Sequence, residues 1–138
     1  MNHNFNIFKI LFTLLSIFTV SAGISNENDN QPRIKVLLEQ VDNGILFEAN
    51  GPYVAIDPNT KKKESSGSSS KRFYLQSDEN GLKWGQTFLG IFQLEFIPNS
   101  PQTTFLVNGT EYKGNITVYN TNGLLTIVNN IDIESFLK

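Results

Sequence analysis

Residues 107–138, VNGTEYKGNITVYNTNGLLTIVNNIDIESFLK, decide how this chain is read. Asn108-Gly109 and Asn122-Gly123 are dipeptides that tolerate the positive φ angles of a two-residue hairpin turn. They predict that residues 103–107 pair with 111–113, and that 116–119 pair with 124–128. A helix start follows directly. Asp132 is a good N-cap, Glu134 suits the positive helix N-terminus, and Ile131 with Phe136 occupies the two positions of a hydrophobic staple. The sequence stops two turns into that helix, at Lys138.

The same signals extend backwards. Asn-Gly recurs at Asn43-Gly44, Asn50-Gly51 and Asn80-Gly81, and each predicts a tight hairpin turn. Between the turns, residues 34–38, 45–49, 53–56, 72–75 and 91–97 are short runs rich in β-branched and aromatic side chains. In 91–97, strict alternation puts Phe92, Leu94 and Phe96 on one face, and that aromatic face is expected to point inward. The expected fold is therefore mainly β: an antiparallel, hairpin-rich sheet or barrel-like domain followed by the start of a C-terminal helix. Residues 57–71, rich in Lys, Ser and Gly, read as a solvated loop inserted between strands.

With 138 residues, no cysteine and a net charge of -2, the chain suits one small domain held by packing and strand pairing, without disulfides. The balanced charge gives no field that favours nucleic acid as a partner. Residues 1–22 read as a signal peptide: Lys9, an apolar run over 10–20, then Ser21-Ala22-Gly23 for cleavage. The apolar run is shorter than the roughly 20 residues that span a bilayer, so no transmembrane span is expected after cleavage. Residues 23–32 read as a flexible leader and 33–138 as the folded domain. The expected location is the periplasm or another extracytoplasmic part of a bacterial envelope.

Residues 107–109 (VNG), 112–114 (YKG), 124–129 (LLTIVN) and 133–137 (IESFL) together resemble the stage II sporulation protein D and LytB amidase-enhancer family. The likeness is specific from Phe105 onward; before that it rests on the opening 34–38 strand and on general β character. Phe136 stands where the family usually has Tyr. The resemblance implies peptidoglycan remodelling. It suggests lytic transglycosylase chemistry on glycan strands, in which one glutamate acts first as acid and then as base. It also implies an N-acetylmuramoyl-L-alanine amidase as partner; no cofactor or metal is expected, since the chain beyond the signal segment has no histidine. In the family that glutamate follows the helix, so it would lie beyond Lys138 and no catalytic residue is expected here. The expected function is an exported cell-wall protein resembling the N-terminal part of that family and not catalytic as it stands. The alternatives are a glycan-binding or amidase-interacting module, and a purely structural extracytoplasmic β domain.

The other candidate chemistry is sparse. Glu48, Glu95 and Glu111 fall in strand contexts as solvent-facing residues, and Glu134 is explained by its helix position. His3, the one histidine, lies in the signal segment, which removes Ser-His and Cys-His nucleophile systems from the expected domain. Sequons at Asn108 and Asn115 read as chance matches in an Asn-rich chain. Trp84, Tyr74, Tyr112 and Tyr119 are candidates for a platform on which sugar rings stack. Trp84 and Tyr112 are the expected glycan contacts, Trp84 first because Lys83 and Gly85 suggest an exposed site near a turn.

Overall fold

The computed structural model describes residues 31–68 and 71–138; the expected signal segment and most of the leader lie outside them. Described in chain order, the strands are β1 (Arg33–Val41), β2 (Ile45–Asn50), β3 (Tyr53–Ile56), β4 (Lys63–Gly67), β5 (Lys71–Asp78) and β6 (Gly81–Trp84). They continue with β7 (Thr87–Phe88), β8 (Gln93–Pro98), β9 (Thr104–Val107), β10 (Thr110–Tyr112), β11 (Asn115–Thr121) and β12 (Leu124–Asp132). A single-turn helix, α1 (Ile133–Phe136), closes the order.

The strands form two six-stranded antiparallel sheets, β1-β12-β11-β8-β3-β4 and β10-β9-β2-β5-β6-β7. Neither sheet closes on itself, so the mainly β expectation holds in its open-sheet form rather than as a barrel. Alternation explains why the sheets stack. Ile45, Phe47 and Ala49 of β2 are fully buried, as are Leu94 and Phe96 of β8 and Ile116 and Val118 of β11. One core forms between the two inner faces. Its centre is aromatic: the Phe47 and Phe96 rings stack with centroids 4.2 Å apart, and Phe105 and Tyr53 lie 6.2 and 6.0 Å from Phe96.

Asn108-Gly109 and Asn122-Gly123 are the two-residue hairpin loops that the sequence predicts, with φ of 49° and 86°, and 54° and 85°. The remaining Asn-Gly pairs behave differently. Asn43-Gly44 and Asn50-Gly51 lie between strands of different sheets, where the chain crosses from one layer to the other. At Asn80-Gly81 the register pairs Asp78 with Gly81, so the loop is Glu79-Asn80 and Gly81 already belongs to the strand. A positive φ is required at each glycine, but it serves a crossover as readily as a hairpin.

Two further expectations need correction. Within residues 57–71 the segment Lys63–Gly67 is strand β4, paired with β3 at the sheet edge. An edge strand needs backbone pairing rather than apolar side chains, so low hydrophobicity did not prevent it. The turn before it is tied by the Asp57 carboxylate, which accepts from the Asn59 amide (2.9 Å) and the Thr60 hydroxyl (3.0 Å). The inward face of 91–97 also begins later than expected. Strand β8 starts at Gln93, leaving Phe92 outside the ladder and 55% exposed, while Leu94 and Phe96 are fully buried.

The helix cap forms as expected. The Asp132 carboxylate accepts from the Ser135 amide at 2.7 Å, and hydrogen bonding to the Ser135 side chain, then to its amide, holds the Asp132 pKa below the ordinary 3.8. Of the staple, Ile131 is buried and Phe136 is half exposed.

Candidate functional site

The four aromatic residues considered as a sugar platform are not brought together. Trp84 pairs with Leu75 on the inner face of its sheet, and its ring stacks on Phe73 at 4.2 Å and lies 5.4 Å from Phe96. It is a half-buried wall of the core, not the exposed turn-proximal ring expected of it. Tyr112 pairs with Phe105, also facing inward. Four inter-strand steps separate β10 from β6, about 19 Å at the usual strand spacing. Tyr74 is exposed on the outer face of that sheet, where its hydroxyl donates to the Asn43 carbonyl (2.7 Å). Tyr119, beside the buried Val118, faces outward from the other sheet.

The carboxylates weighed for acid or base roles are engaged structurally. Glu48 takes the Arg72 Nε at 2.9 Å, Glu95 accepts from the Asn115 amide at 2.9 Å, and Glu111 accepts from the Thr104 hydroxyl at 2.6 Å. Glu134 is exposed in the first turn of α1. Among the described residues, no group of three or more His, Cys, Asp or Glu side chains is placed to hold a metal ion.

Two clefts remain of interest. One, of about 240 Å³, runs along the open side of the sandwich and is mainly apolar: Val36, Leu38, Tyr112, Ile131 and Phe136 line it, with Glu111, Lys113, Asn129 and Ser135 as its polar and charged members. This is where Tyr112 keeps its accessible surface. The other, of about 540 Å³, lies at the end of the sandwich where the β5–β6 and β11–β12 turns approach the Phe92 segment. Glu79, Phe92, Asn120, Asn122 and Gly123 line it.

The walls of the larger cleft are tied to one another. The Asn120 side chain accepts from the Gly123 amide (2.8 Å) and donates to the Asp78 carbonyl, while the Ser77 hydroxyl donates to the Gly123 carbonyl (2.9 Å). The Asn120 amide donates to the Phe92 carbonyl (2.7 Å), and the Leu82 amide to the Ile91 carbonyl (2.8 Å). Gly81, at φ +112°, permits this close approach, because a Cβ there would stand 2.6 Å from the Ile91 carbonyl oxygen. Sequence reading missed Glu79, Phe92 and Asn122 as cleft residues. The signal was present only as an aromatic at the mouth of a strand and an asparagine already explained by its turn.

The fold is thus a two-layer antiparallel β domain with two clefts lined by separate sets of residues. No protein-family model matches the chain, and no solved structure does. It is 29% identical over 120 residues to an uncharacterized protein of Chlamydia muridarum, covering 86% of this chain and 41% of that protein. An uncharacterized protein of Chlamydia pneumoniae is 28% identical over 109 residues, covering 78% of this chain and 39% of its own. One of Brachyspira hyodysenteriae is 28% identical over 109 residues, with 79% and 29% covered. The match thus spans about two fifths or less of these relatives' length.

Proposed function

We propose that this chain is an exported, non-catalytic glycan-binding module of a cell-wall remodelling protein, resembling the N-terminal part of the sporulation protein D and LytB group. The observation that carries the reading is the unity of the segment in which the resemblance is specific. Strands β9 and β10 form one hairpin, β11 and β12 the next, and β12 runs without a break into the Asp132-capped helix. The short motifs within 107–137 therefore sit at fixed turns and strand positions of one unit, as motifs of a shared fold would. A binding rather than catalytic role is supported by the carboxylates, which serve as ion-pair and hydrogen-bond partners within the sheets.

The test is co-sedimentation of the full chain with purified peptidoglycan and with glycan strands stripped of stem peptides, with the digests analysed for anhydro-muramic ends. Binding to the strands without new ends is the expected result. Protein that stays in the supernatant with both materials overturns the reading, and new ends produced by the chain alone overturn its non-catalytic part.

A second reading is favoured by the cleft beside α1, whose apolar centre of Val36, Leu38, Ile131 and Phe136, edged by Glu111 and Lys113, suits a protein surface with its polar rim better than a sugar. On that reading the cleft seats an N-acetylmuramoyl-L-alanine amidase. Stimulation of such an amidase by the chain, abolished by Phe136→Asp, supports it; no stimulation removes it.

A further inference from the structure

We infer that the cleft between the β5–β6 turn, Phe92 and the β11–β12 turn is a binding site for neutral, N-acetylated sugar rings, with Phe92 as the stacking face and Glu79 and Asn122 as hydroxyl partners. The inference rests on the glycan-binding reading above and assigns it a place on the molecule.

Phe92 is the first indication. Its ring is 55% exposed, yet the backbone beneath it is held from both sides by the Leu82–Ile91 and Asn120–Phe92 hydrogen bonds. The ring is exposed because it sits on a fixed support at the end of the sandwich, not because its segment lacks partners. An aromatic face held toward solvent gains by covering apolar surface, and the C–H face of a sugar ring supplies such surface.

The surrounding groups set the rest of the chemistry. The Glu79 carboxylate and the Asn122 side-chain amide are both exposed at the rim, and among the described residues the lining contains no lysine or arginine. A phosphate or other anion would meet a carboxylate without a compensating cation, which disfavours it. A ligand with hydroxyl and amide donors on one edge and an apolar face fits all three side chains. The carboxylate accepts hydroxyl hydrogens, and the Asn122 amide both donates and accepts, which matches an acetamido group. The volume, about 540 Å³, lies within the roughly 300–1,000 Å³ usual for small-ligand sites. Because Asn120 and Ser77 already tie the two turns together, the walls need no ordering when a ligand enters.

The probe is a soluble tetramer of β-1,4-linked N-acetylglucosamine, titrated against the full chain by calorimetry, with backbone amide shifts recorded in parallel. Shifts are expected at Glu79, Phe92 and residues 120–123. Phe92→Ala should weaken binding about tenfold, the scale of one lost stacked face, and Phe92→Trp should preserve it. Glu79→Gln should weaken it by a smaller factor. If the wild type binds the tetramer or sedimenting glycan strands while Phe92→Ala binds equally well, the cleft assignment is overturned and glycan binding stands. Wild-type protein that binds neither overturns both. Tighter binding of the de-N-acetylated, cationic tetramer overturns the assignment to neutral sugars in favour of an amine partner for Glu79.

Discussion

Phe92 and Phe96 lie four residues apart with the same parity, and the structure assigns them opposite roles. Phe96 is fully buried, its ring stacked on Phe47 at 4.2 Å and 5.4 Å from Trp84. Truncating a buried phenylalanine loses the transfer free energy of the ring and leaves a cavity that the two sheets cannot collapse into, about 3–5 kcal/mol together. Lost ring–ring geometry falls within that range rather than adding to it in full, because such terms are not additive. A loss of about 4 kcal/mol, with a urea slope of about 2 kcal/mol per molar, lowers the unfolding midpoint by about 2 M. Fluorescence of Trp84, the one tryptophan, reports the transition from inside the affected cluster. Phe92→Ala removes a ring that is 55% exposed and should move the midpoint by less than about 0.5 M. The slope should be unchanged in both. Equal shifts for the two variants, or a Phe96→Ala loss below about 1 kcal/mol, would refute the assignment of one ring to the core and the other to the cleft.

Gly81→Ala should destabilise by about 2 kcal/mol or more, since it combines a φ of +112° with a Cβ 2.6 Å from the Ile91 carbonyl. Gly123→Ala, at φ +85° with open space around it, should cost about 1 kcal/mol; equal losses in urea melts would count against the close approach. The cap at Asp132 gives a pH prediction. Because its folded pKa is lowered, its contribution is complete above the unfolded value near 3.8 and is lost as pH falls through the lower folded value. The Ser135 amide resonance should therefore titrate with a midpoint below 3.8, and Asp132→Asn should abolish the titration while keeping the bond. A midpoint at or above 3.8 would contradict the cap geometry.

Much of the fold is legible in the sequence, because its strongest signals are local. The turn dipeptides at Asn108 and Asn122, the β-branched and aromatic runs at 45–49 and 72–75, and the Asp132 cap each depend on neighbours within a few residues. What is not legible depends on which sheet a strand joins. Asn43-Gly44 carries the same chemistry as Asn122-Gly123, but the strands that flank it pair with β12 on one side and with β5 and β9 on the other. No local rule separates a hairpin from a crossover when the required φ is the same. Strand β4 is similar: its Lys and Ser content describes an exposed segment, and an exposed segment becomes a strand only when β3 offers an open edge.

The candidate site was harder to see for a related reason. Trp84 sits beside a glycine turn, and turn-proximal aromatics invite a surface reading, yet its pairing with Leu75 sends the ring inward onto Phe73. Phe92 has the alternation of a core residue, yet the ladder begins one residue after it. Both differences follow from where the ladders begin and pair: a residue's face is set by its register partner, and Phe92 has none. The cleft then gathers Glu79, Phe92 and Asn122 from three separate connections, brought together by hydrogen bonds from Asn120 and Ser77 across the two sheets. Such a site has no spacing to read. Its sequence trace is limited to side chains that the turns and strands do not themselves require, and Phe92 is the plainest of these.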